Sequence, residues 1–326
     1  MTGRSDAVGW DADGGESRPR VVVARLLLPA GATLLERRFE LLSGGLDAGR
    51  SDVLSLLPGA AAIVADPTVV IDDEVLEAAG PDLKLVANFA VGYDNVDRAA
   101  CARRGVVLTN TPGVLTDATA ELALGLTLAA ARQIPAAEGD LRQGGWTGWD
   151  PARYRGIELG GATVGVVGMG RIGLRYAELM SGFGGRILYT SRSRKEQAEA
   201  ALAARRVDLE RLLAESDVVS LHLAATPENH HLIDGRAISL MKAGSILVNT
   251  ARGSLVDADA LAQALSEDRI AAAGLDVFEG EPAVPQPLLD CPRAVLTPHI
   301  GSATYRSRDA MAALVARNVI SVLDGD

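Results

Sequence analysis

Thr163-Val-Gly-Val-Val-Gly168-Met-Gly170-Arg171-Ile172-Gly173 decides the fold. Residues Thr163–Val167 form an apolar, β-branched run that predicts a buried strand, and the glycines that follow predict a tight turn into a helix starting near Arg171. In such a turn Gly168 allows the reversal, Gly170 lets a phosphate reach the backbone, and Gly173 lets helix and strand pack closely. Exposed amides and the dipole at the helix start favour a pyrophosphate. Alone, the spacing is weak, because a chain with 35 glycines in 326 residues produces it by chance. The strand before it and the helix after it make it a dinucleotide-binding signature.

Working outward, strand and helix patterns alternate on both sides. Ahead of the turn, Val21–Leu28, Ala60–Ala65, Lys84–Phe89 and Val106–Thr109 read as strands, with helices over Ala32–Phe39 and around Asp73–Ala79. After it, strands are expected near 163–167, 186–190, 218–222, 245–249, 271–275 and 294–297. This is an α/β chain of two doubly wound parallel sheets. Between the two series, Thr116-Asp117 can cap a long helix through Ala131, a candidate spine between lobes. Residues 143–151 form a loop that holds Trp146 and Trp149; two exposed tryptophans call for a covering partner subunit. Tyr305–Leu323 reads as an amphipathic helix returning to the first lobe.

Composition narrows the function classes. A length of 326 residues implies two domains. A net charge of -10 argues against non-specific nucleic-acid binding. No apolar run approaches the roughly 20 residues that a membrane helix needs. Residues 1–18 lack the apolar core of a signal peptide and read as a flexible extension, so a cytoplasmic protein is expected. Cys101 and Cys291 stand far apart, in no metal or redox spacing. His230-His231 has no further ligand nearby in the sequence, so no metal site is predicted, and His222, inside a strand, reads as structural.

The strand Arg186–Thr190 ends in Ser191-Arg192-Ser193-Arg194-Lys195, without the acidic residue that holds an NAD ribose. Hydroxyls and cations there suit a 2′-phosphate, and Arg192 can bind it with paired hydrogen bonds. NADP(H) is therefore the expected cofactor, with NAD(H) as the alternative. Three later strands end in Asn249-Thr250-Ala251-Arg252-Gly253, in Asp276-Val277-Phe278-Glu279-Gly280-Glu281, and in Thr297-Pro298-His299-Ile300-Gly301-Ser302. Ligands bind at the carboxyl ends of such strands, so Arg252, Glu281 and His299 are expected to converge. Reducing a ketone needs a hydride, an acid and a cation to polarise the substrate. His299 would be the acid, Glu281 its partner, and Arg252 the clamp on a 2-keto acid.

These motifs, with Ala90-Val91-Gly92-Tyr93-Asp94-Asn95-Val96-Asp97 and Thr116-Asp117-Ala118-Thr119-Ala120-Glu121-Leu122, resemble the D-isomer-specific 2-hydroxyacid dehydrogenase family from about Val21 to Leu323. The resemblance implies a Rossmann cofactor domain over 112–302, inserted in a smaller flavodoxin-like substrate domain over 19–111 and 303–326. It implies Arg252, Glu281 and His299 as the catalytic set, and substrate contacts from Val91, Gly92, Arg252, His299 and Ser302. The cofactor would meet Gly168, Gly170, Arg171, Ile172, Gly173, Ser191 to Lys195, Ala224, Thr250, Asp276 and Gly301. Within the family, Gly144–Trp149, Thr190–Ser193 and Pro298–Thr304 resemble the NADPH-preferring glyoxylate/hydroxypyruvate reductases, which are homodimers. Ala224-Ala225 departs from the Pro-Leu that relatives often carry. The expected reaction is reduction of a small 2-keto acid such as glyoxylate or hydroxypyruvate. A dehydrogenase for another 2-hydroxy acid, or a dinucleotide-sensing corepressor, are the alternatives.

Overall fold

The computed structural model describes residues 18–325, so the expected N-terminal extension lies outside the described residues apart from Arg18. The chain divides into two compact units. Among the described residues, one holds those up to Phe89, Asn95–Asn110 and those from Ala312 on; the other holds Ala90–Asp94 and Thr111–Met311. The last division falls inside the Tyr305–Asp324 helix rather than at the expected 302/303.

In the first unit, β1 (Arg20–Val23), β2 (Glu40–Ser43), β3 (Ala60–Ala65), β4 (Leu85–Asn88) and β5 (Val107–Thr109) form one parallel sheet in the order β2-β1-β3-β4-β5. This is the doubly wound flavodoxin order. Sequence reading misses β2 because it is an edge strand with no fully buried residue, and so leaves no apolar run. The first strand is shorter than expected and its helix starts earlier, at Pro29 instead of Ala32. Proline suits a first helical turn, where its missing N–H is no loss. Gly31 in that helix lies against the Ala312 carbonyl, closing the unit with the last helix.

The second unit contains β6 (Val164–Val167), β7 (Ile187–Thr190), β8 (Arg205–Arg206), β9 (Val218–Leu221), β10 (Ile246–Asn249), β11 (Ala272–Leu275) and β12 (Ala294–Leu296). They run parallel in the order β12-β11-β10-β9-β6-β7-β8, a Rossmann sheet with one extra strand at its far edge. β8 is two exposed arginines and carries no sequence signal. Successive strand residues face opposite sides. Val164, Val166, Ile187, Tyr189 and Val248 meet the helices Thr116–Ala131 and Arg171–Ser181, while Leu188, Val219, Leu221 and Leu247 meet Leu212, Ile238 and Leu261 on the other face. Both faces are dry, so the strands read as continuous apolar runs. Each such fully buried aliphatic side chain contributes about 1.5–3 kcal/mol.

Helix starts follow local chemistry. Asp72, Asp97, Asp208, Asp234 and Asp257 each accept a hydrogen bond from the backbone N–H three residues on, a cap worth about 1 kcal/mol. Thr116-Asp117 does not cap its helix as expected. Leu115 holds that position without a side-chain bond, and Asp117 pairs with Arg175 instead. That helix packs on β10, β11, β12 and the Arg171–Ser181 helix, so its place is in the core of the second unit. No described helix is long and apolar enough to cross a membrane.

Candidate active site

The glycine turn stands at the end of β6, beside β9, where the strand order reverses. Gly168 has φ +96°, and a Cβ there would lie 2.7 Å from the His222 carbonyl carbon. Turn and neighbouring strand are thus backbone against backbone, joined by His222 N–H donating to Val167 O at 2.7 Å. A Cβ at Gly173 would press on Val166 at 3.1 Å. At Gly170 it would meet nothing within 4 Å. Gly170 is also the N-cap of the Arg171–Ser181 helix and offers no side-chain bond to its first N–H groups. Where Asp72, Asp97, Asp208, Asp234 and Asp257 cap their helices, this start has no side-chain cap, so its first amides are open to an anion.

Beneath the turn lies a polar chain. The Thr127 and Tyr176 hydroxyls are 2.9 Å apart, Tyr176 stacks at a tilt on His222, and His222 Nε2 is 2.8 Å from Ser220 Oγ. Burial lowers the His222 imidazole to about 3, keeping it neutral. This agrees with its structural reading.

The basic turn after β7 is folded on itself. Ser191 Oγ donates to Ser193 O at 2.6 Å, and Lys195 N–H to Tyr189 Oη at 2.8 Å. Arg194 is not held out to a ligand; its guanidinium is 2.6 Å from Glu199. Arg206, from the unpredicted β8, donates to the carbonyls of Ser191 and Arg192 and fixes the turn. Arg192 and Ser193 are exposed. A cavity of about 280 Å³ opens between Met169 and Leu174 on one side and Arg194, Lys195 and Glu196 on the other.

The three strand-end motifs do converge. Asn249, buried at the end of β10, donates to Arg252 O at 2.8 Å and accepts from Ala251 N–H at 3.0 Å, which curls the chain and throws Arg252 forward. Arg252 Nε donates to Asp94 at 2.8 Å and Nη1 to Ala251 O at 2.7 Å. Nη2 lies against Gly92, where any Cβ would collide with it. His299 Nδ1 is 2.7 Å from Glu281 Oε2, and Phe278 N–H donates to Glu281 Oε1 at 2.8 Å. Burial raises the Glu281 carboxyl, but the His299 and Phe278 hydrogen bonds and the charges of His299 and Arg252 outweigh it and hold it below the usual range. Glu281 is therefore an anion beside one imidazole nitrogen, and Nε2 faces away from it.

Asp276, almost fully buried, accepts from Thr297 Oγ1 at 2.6 Å, Ile300 N–H at 2.8 Å and Gly301 N–H at 2.8 Å. Those bonds set the turn in which His299 adopts φ +53°. The Asp276 carboxyl is raised, burial outweighing the bonds. Ala224 is exposed, its carbonyl taken by Asn229 Nδ2 at 2.7 Å, and Ser302 is half-buried. Thr250 Oγ1 is buried and has no hydrogen-bond partner among the described residues. This orphan hydroxyl, the uncapped helix start and the open approach to Gly170 fit a dinucleotide running from the glycine turn toward β10.

Sequence reading misses Asp94, Asn249 and Arg206. Asp94 sits in a motif quoted for other residues, 158 positions before its partner Arg252. His230 and His231, without a further ligand in the sequence, both meet Glu279.

Sheet order, glycine turn and convergent Arg, Glu and His define the class: a dinucleotide-dependent α/β oxidoreductase. Residues 124–301 match the D-isomer specific 2-hydroxyacid dehydrogenase NAD binding domain. A glyoxylate reductase of Thermococcus litoralis is 45% identical over 315 residues, 95% of this chain and 95% of that one. Among solved structures, a glyoxylate reductase from Paecilomyes thermophila is 32% identical with TM-score 0.85, covering 95% and 97% of the two chains. An NADPH-dependent glyoxylate/hydroxypyruvate reductase from Sinorhizobium meliloti, in complex with NADP and malonate, is 36% identical with TM-score 0.83, covering 94% and 93%. The chain belongs to the D-isomer-specific 2-hydroxyacid dehydrogenase family and is an NAD(P)-dependent oxidoreductase.

The glycines separate two effects. Gly170→Ala should leave the thermal midpoint unchanged yet weaken dinucleotide binding at least tenfold, whereas Gly173→Ala should lower the midpoint even without cofactor. Calorimetry and fluorescence titration of the two variants check this; equal destabilisation by both would remove the phosphate-approach role of Gly170.

Proposed function

We propose that the protein reduces glyoxylate, hydroxypyruvate or a similarly small 2-keto acid to the 2-hydroxy acid, with NADPH as the preferred reductant. The observation that carries this reading is the His299–Glu281 pair at 2.7 Å with the Arg252 fork beside it. A nicotinamide dinucleotide, when bound, would supply a hydride for the substrate carbonyl. His299 Nε2 donates the proton to the developing alkoxide, and Glu281 on Nδ1 stabilises the imidazolium and fixes the ring. Two of the Arg252 nitrogens are already bonded, which leaves Nη2 to grip substrate oxygen near the Val91-Gly92 backbone. Asp94 orients that fork from behind. Cofactor binding belongs to the second unit, with Thr250 and Asp276 toward the nicotinamide and Ser191 to Lys195 toward the adenosine end.

The NADP preference rests on a turn free of carboxylate from Ser191 to Lys195, with Arg192 exposed and Arg194 tied to Glu199. The relative with bound NADP supports it. We assign the exposed Trp146 and Trp149, 62% and 86% accessible, to a homodimer interface; sedimentation of the purified chain as a monomer would refute this.

His299→Gln should lower kcat by roughly 10²–10⁴-fold with cofactor binding intact. Arg252→Ala should raise KM and lower kcat together, and Asp94→Asn should do the same to a smaller extent. Glu281→Gln removes the carboxylate that fixes the His299 ring and should lower kcat while leaving cofactor binding intact. Steady-state kinetics with glyoxylate and hydroxypyruvate measure all four; normal turnover by His299→Gln would discard the assignment. For the cofactor, Ser191→Asp with Arg192→Ala should shift the NADPH/NADH ratio of kcat/KM toward NADH. An unchanged ratio would remove the basis for NADP.

A further inference from the structure

His230, His231 and Glu279 stand apart from the proposed catalytic set, and their arrangement is unusual for neighbouring side chains. Consecutive residues in extended chain point to opposite sides. Here His231 adopts φ +49°, which turns its ring onto the same side as that of His230. The two imidazoles stack with centroids 3.9 Å apart and planes 23° from parallel. Each presents Nε2 to a different oxygen of one carboxylate: His230 to Glu279 Oε1 and His231 to Oε2, both at 2.8 Å. The three donor atoms lie within 4.8 Å of one another.

The backbone fixes this geometry on both sides. Ahead of the pair, Thr226 N–H donates to Asn229 Oδ1 and Asn229 Nδ2 to Ala224 O, both at 2.7 Å. Behind it, His231 N–H donates to Ser254 O at 2.8 Å and Ile233 N–H to Leu255 O at 3.0 Å. Glu279 is held from below, because Gly253 packs directly on the Phe278–Glu279 peptide with no room for a side chain. Two separate segments of the second unit, both braced by Gly253–Leu255, therefore deliver two imidazoles and a carboxylate to one point at the surface.

We propose that His230, His231 and Glu279 bind a borderline divalent transition ion of the Zn²⁺ or Ni²⁺ class, with water completing the coordination. Two nitrogen donors and one carboxylate suit such ions and disfavour Ca²⁺ and Mg²⁺, which take oxygen ligands. On binding, Nε2 of each ring offers its lone pair to the ion, any proton there passing to Nδ1 or to water, and the carboxylate turns to the ion as well. Glu279 lies two residues before Glu281, so an ion here ties the segment that carries Glu281 to the His230-His231 loop, which is itself bonded to Ser254 just after Arg252. The site is independent of the reaction assigned above, since binding is read without turnover.

The test uses the full chain without a histidine tag, stripped with a chelator and desalted, then titrated with Zn²⁺ by calorimetry. Co²⁺ absorption serves as a second signature. The expected result is one equivalent bound by the wild type. Binding should weaken by at least roughly 10–100-fold in His230→Ala and in Glu279→Gln, since losing even an outer partner of a metal ligand has that effect. Circular dichroism should show both variants folded. Absence of binding in the wild type, equal binding in folded variants, or Co²⁺ spectra unchanged by the substitutions would each overturn the site.

Discussion

The buried carboxylate of Asp276 is the constraint on which the arrangement of the site depends. Burial alone would favour its neutral form, yet three donors converge on it from Thr297, Ile300 and Gly301. Those donors come from the turn after β12, while Asp276 directly follows β11. The bond set therefore ties two strand ends together and leaves His299, in the middle of the turn, no freedom to relax from φ +53°. A buried acceptor left unpaired costs about 1–3 kcal/mol or more, so the turn and the carboxylate hold one another. The imidazole is presented toward Glu281 as a consequence.

Arg252 is placed by a different device. Its main chain is curled by Asn249, its Nε is drawn to Asp94, and its remaining nitrogen rests where Gly92 leaves space. A long cation normally loses much side-chain entropy when it binds an anion. Here most of that ordering is complete in the free protein, which suits the clamp proposed for Arg252.

At the other end of the site, the two arginines with the plainest sequence signal have different fates. Arg192 is exposed, whereas Arg194 is neutralised by Glu199, itself bonded to Tyr189. Arg206 takes a place that the sequence does not advertise, pinning the turn by its carbonyls. A count of cations in a loop overstates the charge that a phosphate would meet. The Glu279 carboxylate with two histidines is the reverse case, in which isolated motifs gain a shared centre only once two distant segments meet.

Periodicity and turn chemistry are local, and the sequence by itself determined what depends on them. The glycine fingerprint between strand and helix, the apolar runs of strands buried on both faces, and the strand-end placement of Arg252, Glu281 and His299 were all legible. The edge strands β2 and β8 were not, because an exposed strand has no apolar run to show. Nor were Asp94 on Arg252, Glu199 on Arg194, or Glu279 under His230 and His231, since charged partners distant along the chain leave no period or spacing. Only the tertiary structure decided those pairs, because a charge finds its partner through the folded path of the backbone and not through its neighbours in sequence.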